Sequence, residues 1–423
     1  MNNRVGVDEY VEVYSNTTRF RTLSEHFRKR KLMWIIVLTV FIDIVIIIPT
    51  ILITWNHRKM EKAFTTEITT AKITSTITTT TTEITTSTTT EIISSTTVTT
   101  STTAAKITTA KNEQILFPVF IDNNTKWKQT AVTVAGGNER GSELNQLNLP
   151  IGFYVDNDDD SIYIADCENH RIVRWESGAK NGEIVAGRKP GESVTDVLKY
   201  PTDVILDKEK EYLIICDGGN QQVIRWSRQN SQDQQIFIPH IVCYGLAIDN
   251  NGDIYISEWG KHQVRRFQQG GDTTGTVVAG GNGEGIRLNQ FDRPEFMFVD
   301  EDHTVYVVDY GNSRVMKWMK NATEGIRIIP GQASDMNPSP LGRANGAIVD
   351  HMGNIYVSTT LSNQVTRWLP DAIEGTPVVG EIQMGSGPTQ LKELHDLSFD
   401  RQGNLYVVDR GNSRIQKFII DRD

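Results

Sequence analysis

The sequence predicts an all-β fold, a six-bladed β-propeller that is closed by a strand from its own N-terminal side. Three observations lead to this prediction. A segment of the type "IYIADCENHRIVRW" recurs six times, at intervals of 41 to 51 residues. An apolar run that ends in Asp precedes every copy, and a further short strand follows most copies. The sixth copy lacks this last strand, and a spare one precedes the first copy.

Each copy contains an apolar strand, a polar turn and a second strand that ends in Lys or Arg followed by Trp or Phe. The copies are "IYIADCENHRIVRW" from Ile162, "LIICDGGNQQVIRW" from Leu213, "IYISEWGKHQVRRF" from Ile254, "VYVVDYGNSRVMKW" from Val305, "IYVSTTLSNQVTRW" from Ile355 and "LYVVDRGNSRIQKF" from Leu405. Each unit therefore predicts a four-stranded antiparallel meander. One such sheet cannot bury both apolar faces alone, so the units must stack around an axis.

The spare strand is "AVTVAGGN", from Ala131 to Asn138. It closely resembles "GTVVAGGNGEG" from Gly275, which supplies the fourth strand of unit three. Without a fourth strand, unit six would expose a row of unpaired backbone groups. We therefore expect the spare strand to pair with the last strand of unit six and to close the ring.

These residues resemble the NHL-repeat family, whose motif joins a Pro-x-Gly-type start, an apolar-Tyr-Val-x-Asp strand and an Asn-x-Arg-Ile strand. Units one, four and six match the motif closely, and the resemblance covers Ala131 to the C-terminus. It implies a six-bladed propeller. The family also includes cytoplasmic ubiquitin ligases and RNA binders, but no Cys/His cluster precedes the repeats here. With Lys+Arg 43 against Asp+Glu 52, the charge balance also argues against nucleic acid as a partner.

Three units place an Asp at the end of the apolar strand and an Arg five residues later. Across a tight turn this spacing allows an ion pair with turn hydrogen bonds, and its recurrence favours an architectural role. The pairs are Asp166 with Arg171, Asp309 with Arg314, and Asp409 with Arg414.

The N-terminal part of the chain predicts a membrane anchor. The segment from Leu32 to Trp55 is apolar and long enough to cross a bilayer. Basic residues cluster just before it, so the positive-inside rule predicts a cytoplasmic tail at residues 1–31 and an extracellular or lumenal C-terminal part. The protein is therefore expected to be a single-pass type II membrane protein, with residues 32–55 as signal anchor.

A stalk is predicted to follow the anchor, at residues 56–112. Residues 65–109 contain 24 Thr and five Ser, with no aromatic residue and no Gly. Such a segment cannot bury enough apolar surface to offset its conformational entropy, and its hydroxyls suggest O-glycosylation. We expect a disordered spacer, followed by the propeller domain at residues 113–423. In that domain Asn123 and Asn321 begin N-glycosylation motifs.

The first residues of the innermost strands should surround one mouth of the central tunnel. The predicted ligand-binding residues are Asp203, Tyr244, Glu295, Asn345, His395 and Asp396. Among them, Asp203, Glu295 and Asp396 would direct oxygen atoms toward one axis, which predicts a candidate calcium site. The alternative is that these side chains only line a water-filled tunnel.

Recognition is the predicted function: binding of a protein, a glycan or a small ligand on the extracellular face, through the loops at the tunnel mouth. The family resemblance also allows a metal-dependent enzyme, either an amidating lyase or a lactonase-like hydrolase. A lyase would need three converging histidines, and only His395 and His240 are expected near the mouth. No Ser/His/Asp or Cys/His constellation is supported by spacing.

Three cysteines, Cys167, Cys216 and Cys243, are expected on the same face as the tunnel mouth. In an oxidising lumen, Cys216 could pair with Cys243, or Cys167 with Cys216. The sequence leaves both pairings open.

Overall fold

The computed structural model describes residues 121–187, 198–271, 273–329 and 343–422. The predicted cytoplasmic tail, membrane span and Thr-rich stalk lie outside these residues. Within the described ranges, no helix has both the length and the apolar character needed to cross a membrane.

The described residues form strands and short 3₁₀ helices, in the order that the repeats predict. Two strands precede the first blade: β1 (Lys126–Trp127) and β2 (Val132–Gly136). Blade one consists of β3 (Phe153–Asp156), β4 (Ser161–Asp166), β5 (Arg171–Trp175) and β6 (Glu183–Gly187). Blade two consists of β7 (Pro201–Leu206), β8 (Tyr212–Asp217), β9 (Gln222–Ser227) and β10 (Gln234–Ile238). Blade three consists of β11 (Cys243–Ile248), β12 (Ile254–Glu258), β13 (Gln263–Phe267) and β14 (Thr276–Gly280).

The remaining blades repeat this arrangement. Blade four consists of β15 (Pro294–Val299), β16 (Val305–Asp309), β17 (Arg314–Trp318) and β18 (Ile326–Ile329). Blade five consists of β19 (Ala344–Val349), β20 (Ile355–Thr359), β21 (Gln364–Trp368) and β22 (Thr376–Val379). Blade six contains β23 (Leu394–Phe399), β24 (Leu405–Asp409) and β25 (Arg414–Phe418), and β26 (Ile420–Asp421) follows it. The described 3₁₀ helices connect the second and third strands of five blades: Cys167–Asn169, Gly218–Asn220, Trp259–Lys261, Tyr310–Asn312 and Arg410–Asn412.

Each blade is a four-stranded antiparallel sheet, and in blades one to five neighbours in sequence are neighbours in space. The first strand of each blade is innermost and lines the tunnel. Apolar side chains fill the layers between consecutive blades. Between blades one and two, for example, Tyr163 and Ile172 pack with Val204 and Ile215. Burial on both faces explains the nearly continuous apolar runs of the first two strands. The six-bladed all-β fold is confirmed.

The ring closes as predicted, because β2 is the fourth strand of blade six. It pairs antiparallel with β25, with Val132 opposite Lys417 and Gly136 opposite Arg414. A second N-terminal strand, which the repeats do not predict, strengthens this closure: β1 pairs with β26. Trp127 in β1 is buried and donates its indole N–H to the carbonyl oxygen of Gly403 over 2.9 Å.

The Asp–Arg pairs are confirmed, and they hold the loops that enter the blades. In blade one, the Arg171 guanidinium donates to Asp166 Oδ2 at 2.7 Å, and its other nitrogens donate to backbone carbonyls of residues 142, 143 and 146. Blades four and six repeat the arrangement, with ion-pair distances of 2.6 Å for both Asp309–Arg314 and Asp409–Arg414. All three pairs are buried. Their role is architectural, because every nitrogen of the arginine donates a hydrogen bond within the fold.

One of the two predicted disulfide pairings is present. Cys216 in β8 is bonded to Cys243 in β11, which joins blade two to blade three. Cys167 is a buried free thiol. Burial raises its pKa to about 12, so it is uncharged at neutral pH.

Candidate functional site

The innermost strands place three rings of side chains along the tunnel, and the sequence defines each ring by its distance from the Asp that ends the apolar run. The mouth ring, five residues before that Asp, is Ile151, Thr202, Tyr244, Glu295, Asn345 and His395. The second ring, one residue further, is Gly152, Asp203, Gly245, Phe296, Gly346 and Asp396. The third ring is Tyr154, Ile205, Ala247, Phe298, Ile348 and Ser398.

Apolar side chains cross the tunnel at the mouth. Ile151, Cys167 and Phe296 form one buried cluster, against which Tyr244 packs, and we call these four residues the plug. The rings of Tyr244 and Phe296 meet edge to face with centroids 5.6 Å apart. Because Ile151 and Phe296 belong to blades one and four, on opposite sides of the ring, the plug spans the axis. Apolar side chains therefore occupy the axis at the level of the mouth.

Three polar side chains around the plug each bury an atom that has no hydrogen-bond partner among the described residues. The atoms are Glu295 Oε2, His395 Nδ1 and Arg410 Nε, and we call these residues the mouth cluster. Arg410 is close enough to lower the pKa of both Glu295 and His395 through its charge. Glu295 is only 4% exposed. Its unpaired oxygen is unusual, because buried polar atoms are nearly always hydrogen-bonded.

Burial dominates the protonation of the mouth cluster. It raises the pKa of Glu295 to about 8, against a smaller opposing effect of Arg293 and Arg410. It lowers the pKa of His395 to about 3, and the Arg410 charge acts in the same direction. At neutral pH, therefore, Glu295 is largely a neutral acid and His395 a neutral imidazole, beside a guanidinium.

Sequence reasoning missed Arg410, although a signal for it exists. It is the residue that directly follows the Asp at the end of the second strand of its blade. The same position in blade one is Cys167, which belongs to the plug. Side chains at this position reach the mouth from the turn between the second and third strands, and the motif leaves the position variable from blade to blade.

Asn345, another predicted ligand-binding residue, makes contacts within the fold. Its side-chain amide donates to the hydroxyl of Thr360 and to the backbone carbonyl of Leu394. The bond to Leu394 connects the innermost strands of blades five and six. In the same ring, the Thr202 hydroxyl donates to the carbonyl oxygen of Tyr244 over 2.7 Å.

Asp203 and Asp396 lie in the second ring, on either side of blade one, and each accepts two backbone N–H groups. Asp203 accepts from Val204 at 2.8 Å and from Leu246 of the next blade at 2.8 Å. Asp396 accepts from Leu397 at 2.9 Å and from Phe153 of the next blade at 3.2 Å. The carboxylates thus satisfy amides on strand edges that face the tunnel.

The two carboxyl groups also act on each other. Burial, and then the charge of Asp396, raise the pKa of Asp203 well above its ordinary value. Burial raises the pKa of Asp396 to about 7. Gly152 lies between them, and a Cβ there would come within 2.3 Å of Asp203 Oδ1. Glycine at this position of blade one therefore leaves the space that the Asp203 carboxylate occupies.

Below the plug the tunnel widens into a cavity of about 180 Å³, which we call the chamber. It extends from Asp203, Asp396 and Phe296 in the second ring to Asn157, in the turn after the first strand of blade one. Most of the residues that line it have apolar side chains, although polar atoms contribute as much of the lining surface as apolar atoms do. The described residues that line it include the two aspartates but no Lys, Arg or His.

Two segments of the chain match the NHL repeat model: residues 147–175 in blade one and residues 391–418 in blade six. The described domain is an NHL-repeat β-propeller. No curated protein sequence matches the chain.

Solved bacterial structures share the fold of this NHL propeller at low sequence identity. A protein of unknown function from Bacteroides thetaiotaomicron has a TM-score of 0.53 and 15% identity, with 69% of this chain and 76% of that chain covered. An auxiliary nutrient binding protein from the same species has a TM-score of 0.52 and 12% identity, with the same coverage. A gluconolactonase from Xanthomonas campestris has a TM-score of 0.49 and 12% identity, covering 72% and 97%. At such identities the likeness concerns the fold alone.

The predicted calcium ligands occupy two levels of the NHL propeller: Asp203 and Asp396 face the chamber, and Glu295 belongs to the mouth cluster. Among the described residues, three possible metal-ligand atoms lie within 4.8 Å of one another at a different place, His262, Glu284 and Asp292. There His262 Nδ1 accepts the N–H of Arg293 at 3.2 Å. In a neutral imidazole the proton is then on Nε2, so neither ring nitrogen is free to bind a metal. The calcium site stays a prediction.

We expect the stability of the NHL propeller to fall between pH 6.5 and pH 8. Between its ordinary value of 4.5 and its folded value of about 8, Glu295 keeps a proton in the fold that the unfolded chain loses. Since the native state binds more protons, the free energy of unfolding decreases as pH rises. The lowered pKa of His395 makes stability rise with pH instead, but only below the ordinary histidine pKa of 6.5. A difference of one bound proton changes the free energy of unfolding by about 1.4 kcal/mol per pH unit. Glu295 should therefore lower it by roughly 2 kcal/mol over this range.

Urea unfolding at several pH values checks this expectation. Glu295→Gln should make the free energy of unfolding depend less steeply on pH between pH 6.5 and pH 8, by an amount equivalent to about one bound proton. Asp396, with a pKa of about 7, adds a smaller decrease of the same sign that the variant retains. Parallel curves for the wild type and the variant would contradict the protonation assigned to Glu295.

Proposed function

We propose that this protein is a single-pass type II membrane protein that displays its NHL propeller on a Thr-rich stalk and binds a ligand at the tunnel mouth. The apolar segment at residues 32–55 and the basic residues before it support the anchor and its orientation. The Thr-rich segment supports the stalk. The disulfide between Cys216 and Cys243 supports an oxidising compartment for the propeller.

The observation that carries the binding role is the mouth cluster. A buried polar atom without a partner costs about 1–3 kcal/mol. Ten buried side-chain atoms among the described residues lack a partner, and three of them belong to the side chains around one plug, where their costs add up at a single place. A bound ligand or partner protein that supplied hydrogen bonds to Glu295, His395 and Arg410 would remove that cost.

The chemistry of the mouth cluster restricts the ligand. Arg410 pairs with Glu393 at 3.3 Å and offers its remaining N–H donors, while the neutral Glu295 and His395 can each donate or accept one hydrogen bond. The partly exposed ring of Tyr244, which packs on the buried ring of Phe296, offers an apolar surface beside them. A protein side chain, a glycan or a small ligand that combines an acceptor group with an apolar or ring face fits this surface.

Binding can be tested with the full-length chain in lipid nanodiscs against arrays of immobilised glycans and of identified extracellular proteins. We expect at least one binder whose affinity falls tenfold or more with Arg410→Gln. Arg401→Gln serves as the matched control, because Arg401 is 53% exposed and lies in a turn at the other end of the tunnel. Binders that respond to Arg401→Gln and not to Arg410→Gln would place recognition elsewhere and contradict the proposal.

Metal analysis separates this proposal from the enzyme alternative. An amidating lyase or a lactonase-like hydrolase would hold stoichiometric zinc or tightly bound calcium. We expect the purified full-length protein to retain neither after dialysis. Stoichiometric metal that is lost in an Asp203→Ala, Asp396→Ala double variant would favour the metal-dependent enzyme.

The proposed topology has its own test. Asn123 and Asn321 are both exposed in the structure, so a glycosyltransferase could reach them. We expect glycosidase-sensitive mass at both positions and none at Asn16, which the topology places in the cytoplasm. Asn123→Gln and Asn321→Gln should each remove one mass step. Protection of the propeller from protease added to intact cells, in the absence of an intracellular pool, would contradict the type II orientation.

A further inference from the structure

The chamber is separate from the mouth cluster. The plug covers its upper end, because Phe296 belongs both to the plug and to the chamber lining. Its other end lies five residues along the strand, beside Asn157. At about 3.3 Å per residue, the chamber is roughly 16 Å long. A ligand would therefore enter from the face that carries the turns between first and second strands, opposite the mouth.

The polar groups of the chamber are concentrated at its covered end. Asp203 and Asp396 lie there, and Asp203 is only 3% exposed. No described cationic side chain lines the chamber to balance them. Each carboxyl group accepts backbone N–H groups, but these bonds do not offset its burial, which raises the pKa of both groups. Burial, and then the charge of Asp396, disfavour the ionised form of Asp203, and a cation placed between the two carboxyl groups would offset both effects.

The walls restrict what that positive charge can belong to. Between the aspartates and the open end, the third ring presents mostly apolar side chains, including Ile205, Phe298 and Ile348. A calcium ion prefers six to eight oxygen ligands. The two carboxylates supply at most four of them, whereas an organic cation needs one or two acceptors and can place its body against the apolar side chains of the third ring.

Size restricts the ligand further. A cavity of about 150 Å³ lined by apolar side chains binds benzene. The chamber, at about 180 Å³, has room for a ring of that size plus a short charged group. We propose that the chamber is a binding site for a small organic cation, a protonated primary amine on an aromatic or aliphatic body, with its ammonium group at Asp203 and Asp396.

The test compares two probes that differ in charge and little in shape: 4-fluorobenzylammonium and 4-fluorobenzyl alcohol. Binding to the full-length chain in nanodiscs can be followed by fluorine NMR, and empty nanodiscs correct for partition into lipid. We expect saturable binding of the ammonium, at least tenfold tighter than that of the alcohol. Equal affinities, or no saturable binding of the ammonium, would overturn the proposal.

Two variants separate charge from space. An Asp203→Asn, Asp396→Asn double variant should remove the preference for the ammonium. Because these aspartates also cap backbone amides, the double variant needs a melting curve to show that it folds. Ala247→Leu fills the chamber without changing a charge, and it should weaken both probes tenfold or more. Undiminished binding to Ala247→Leu, or calcium binding that is tighter than ammonium binding and displaces it, would refute the assignment.

The two sites can fail independently. Arg410→Gln alters the mouth cluster and should leave 4-fluorobenzylammonium binding within twofold of the wild type, because Arg410 does not line the chamber. A tenfold loss of ammonium binding in this variant would show that the probe binds at the mouth, which would overturn the chamber assignment and leave the mouth proposal standing.

Discussion

A chain that begins at Asn145 should fail to form a stable propeller, whereas one that begins at Glu113 should fold. The shorter chain lacks β1 and β2, so β25 becomes an open edge with a row of unpaired backbone groups. The lost β2 ladder costs several hydrogen bonds at about 1 kcal/mol each. Ala135 and Val134 also lose their packing between blades six and one.

The loss of Trp127 adds to this effect. Its ring stacks on Phe399 at 5.9 Å and meets Tyr356 edge to face at 5.7 Å. Removing a buried aromatic side chain of this kind costs about 3–5 kcal/mol. Together with the β2 ladder, the expected loss is comparable with the whole stability of many domains, about 5–15 kcal/mol.

Thermal and urea unfolding of three chains would separate the contributions. A chain that begins at Lys128 keeps β2 and loses Trp127, so its stability should lie between those of the other two. Thr133→Pro in the full chain should be destabilising, because it places a proline inside the β2–β25 ladder. Cysteines at positions 132 and 417, which face each other, should cross-link within one chain. The closure would be refuted if the chain from Asn145 melted like the chain from Glu113.

Arg171→Leu should destabilise the propeller by about 3–5 kcal/mol, which is the usual effect of removing one partner from a buried ion pair. Arg171 is 2% exposed, and the change would leave Asp166, which is fully buried, without its cation. It would also remove the arginine's hydrogen bonds to three backbone carbonyls of the loop at residues 142–146. The loop that enters blade one would then lose its main attachment.

Arg174→Gln is the matched control, because Arg174 lies in the same strand and pairs with Asp159 at the surface. Exposed ion pairs contribute about 0–1 kcal/mol. Urea unfolding should therefore show a large shift in the midpoint for Arg171→Leu and a small one for Arg174→Gln. Shifts of similar size in the two variants would mean that the buried pair has no special role.

The periodic features of the molecule could be predicted from sequence, and the features that depend on distance across the ring could not. The recurring pair of strands predicted the blades. The strand that unit six lacks predicted which strand pairs with Val132–Gly136. A five-residue spacing across a turn was enough for the Asp166–Arg171 pair. In each case the contact joins residues whose relation repeats along the chain.

The plug and the mouth cluster are contacts of another kind. Ile151 and Phe296 meet because the tunnel is narrow where large side chains from opposite blades face each other. The width of the tunnel at that level cannot be inferred from the spacing of residues along the chain. Arg410 reaches the mouth from a turn, whereas the sequence directed attention to the strands. Trp127 was missed because β1 lies outside the repeat and has no counterpart in the other blades.

The closing strand also sets the order of events during synthesis. The Thr133 hydroxyl donates to the side-chain oxygen of Gln416, a residue 283 positions later in the chain. The ribosome therefore makes β2 among the first strands of the domain and its partner among the last. Blades one to five can form as the chain emerges, but blade six cannot be completed until residues 414–418 have been made. Contacts of such long range form slowly, and until they do both partners are open sheet edges. The nascent propeller is thus most exposed to wrong pairing at the end of its synthesis, when a chaperone that covers β2 would be most useful.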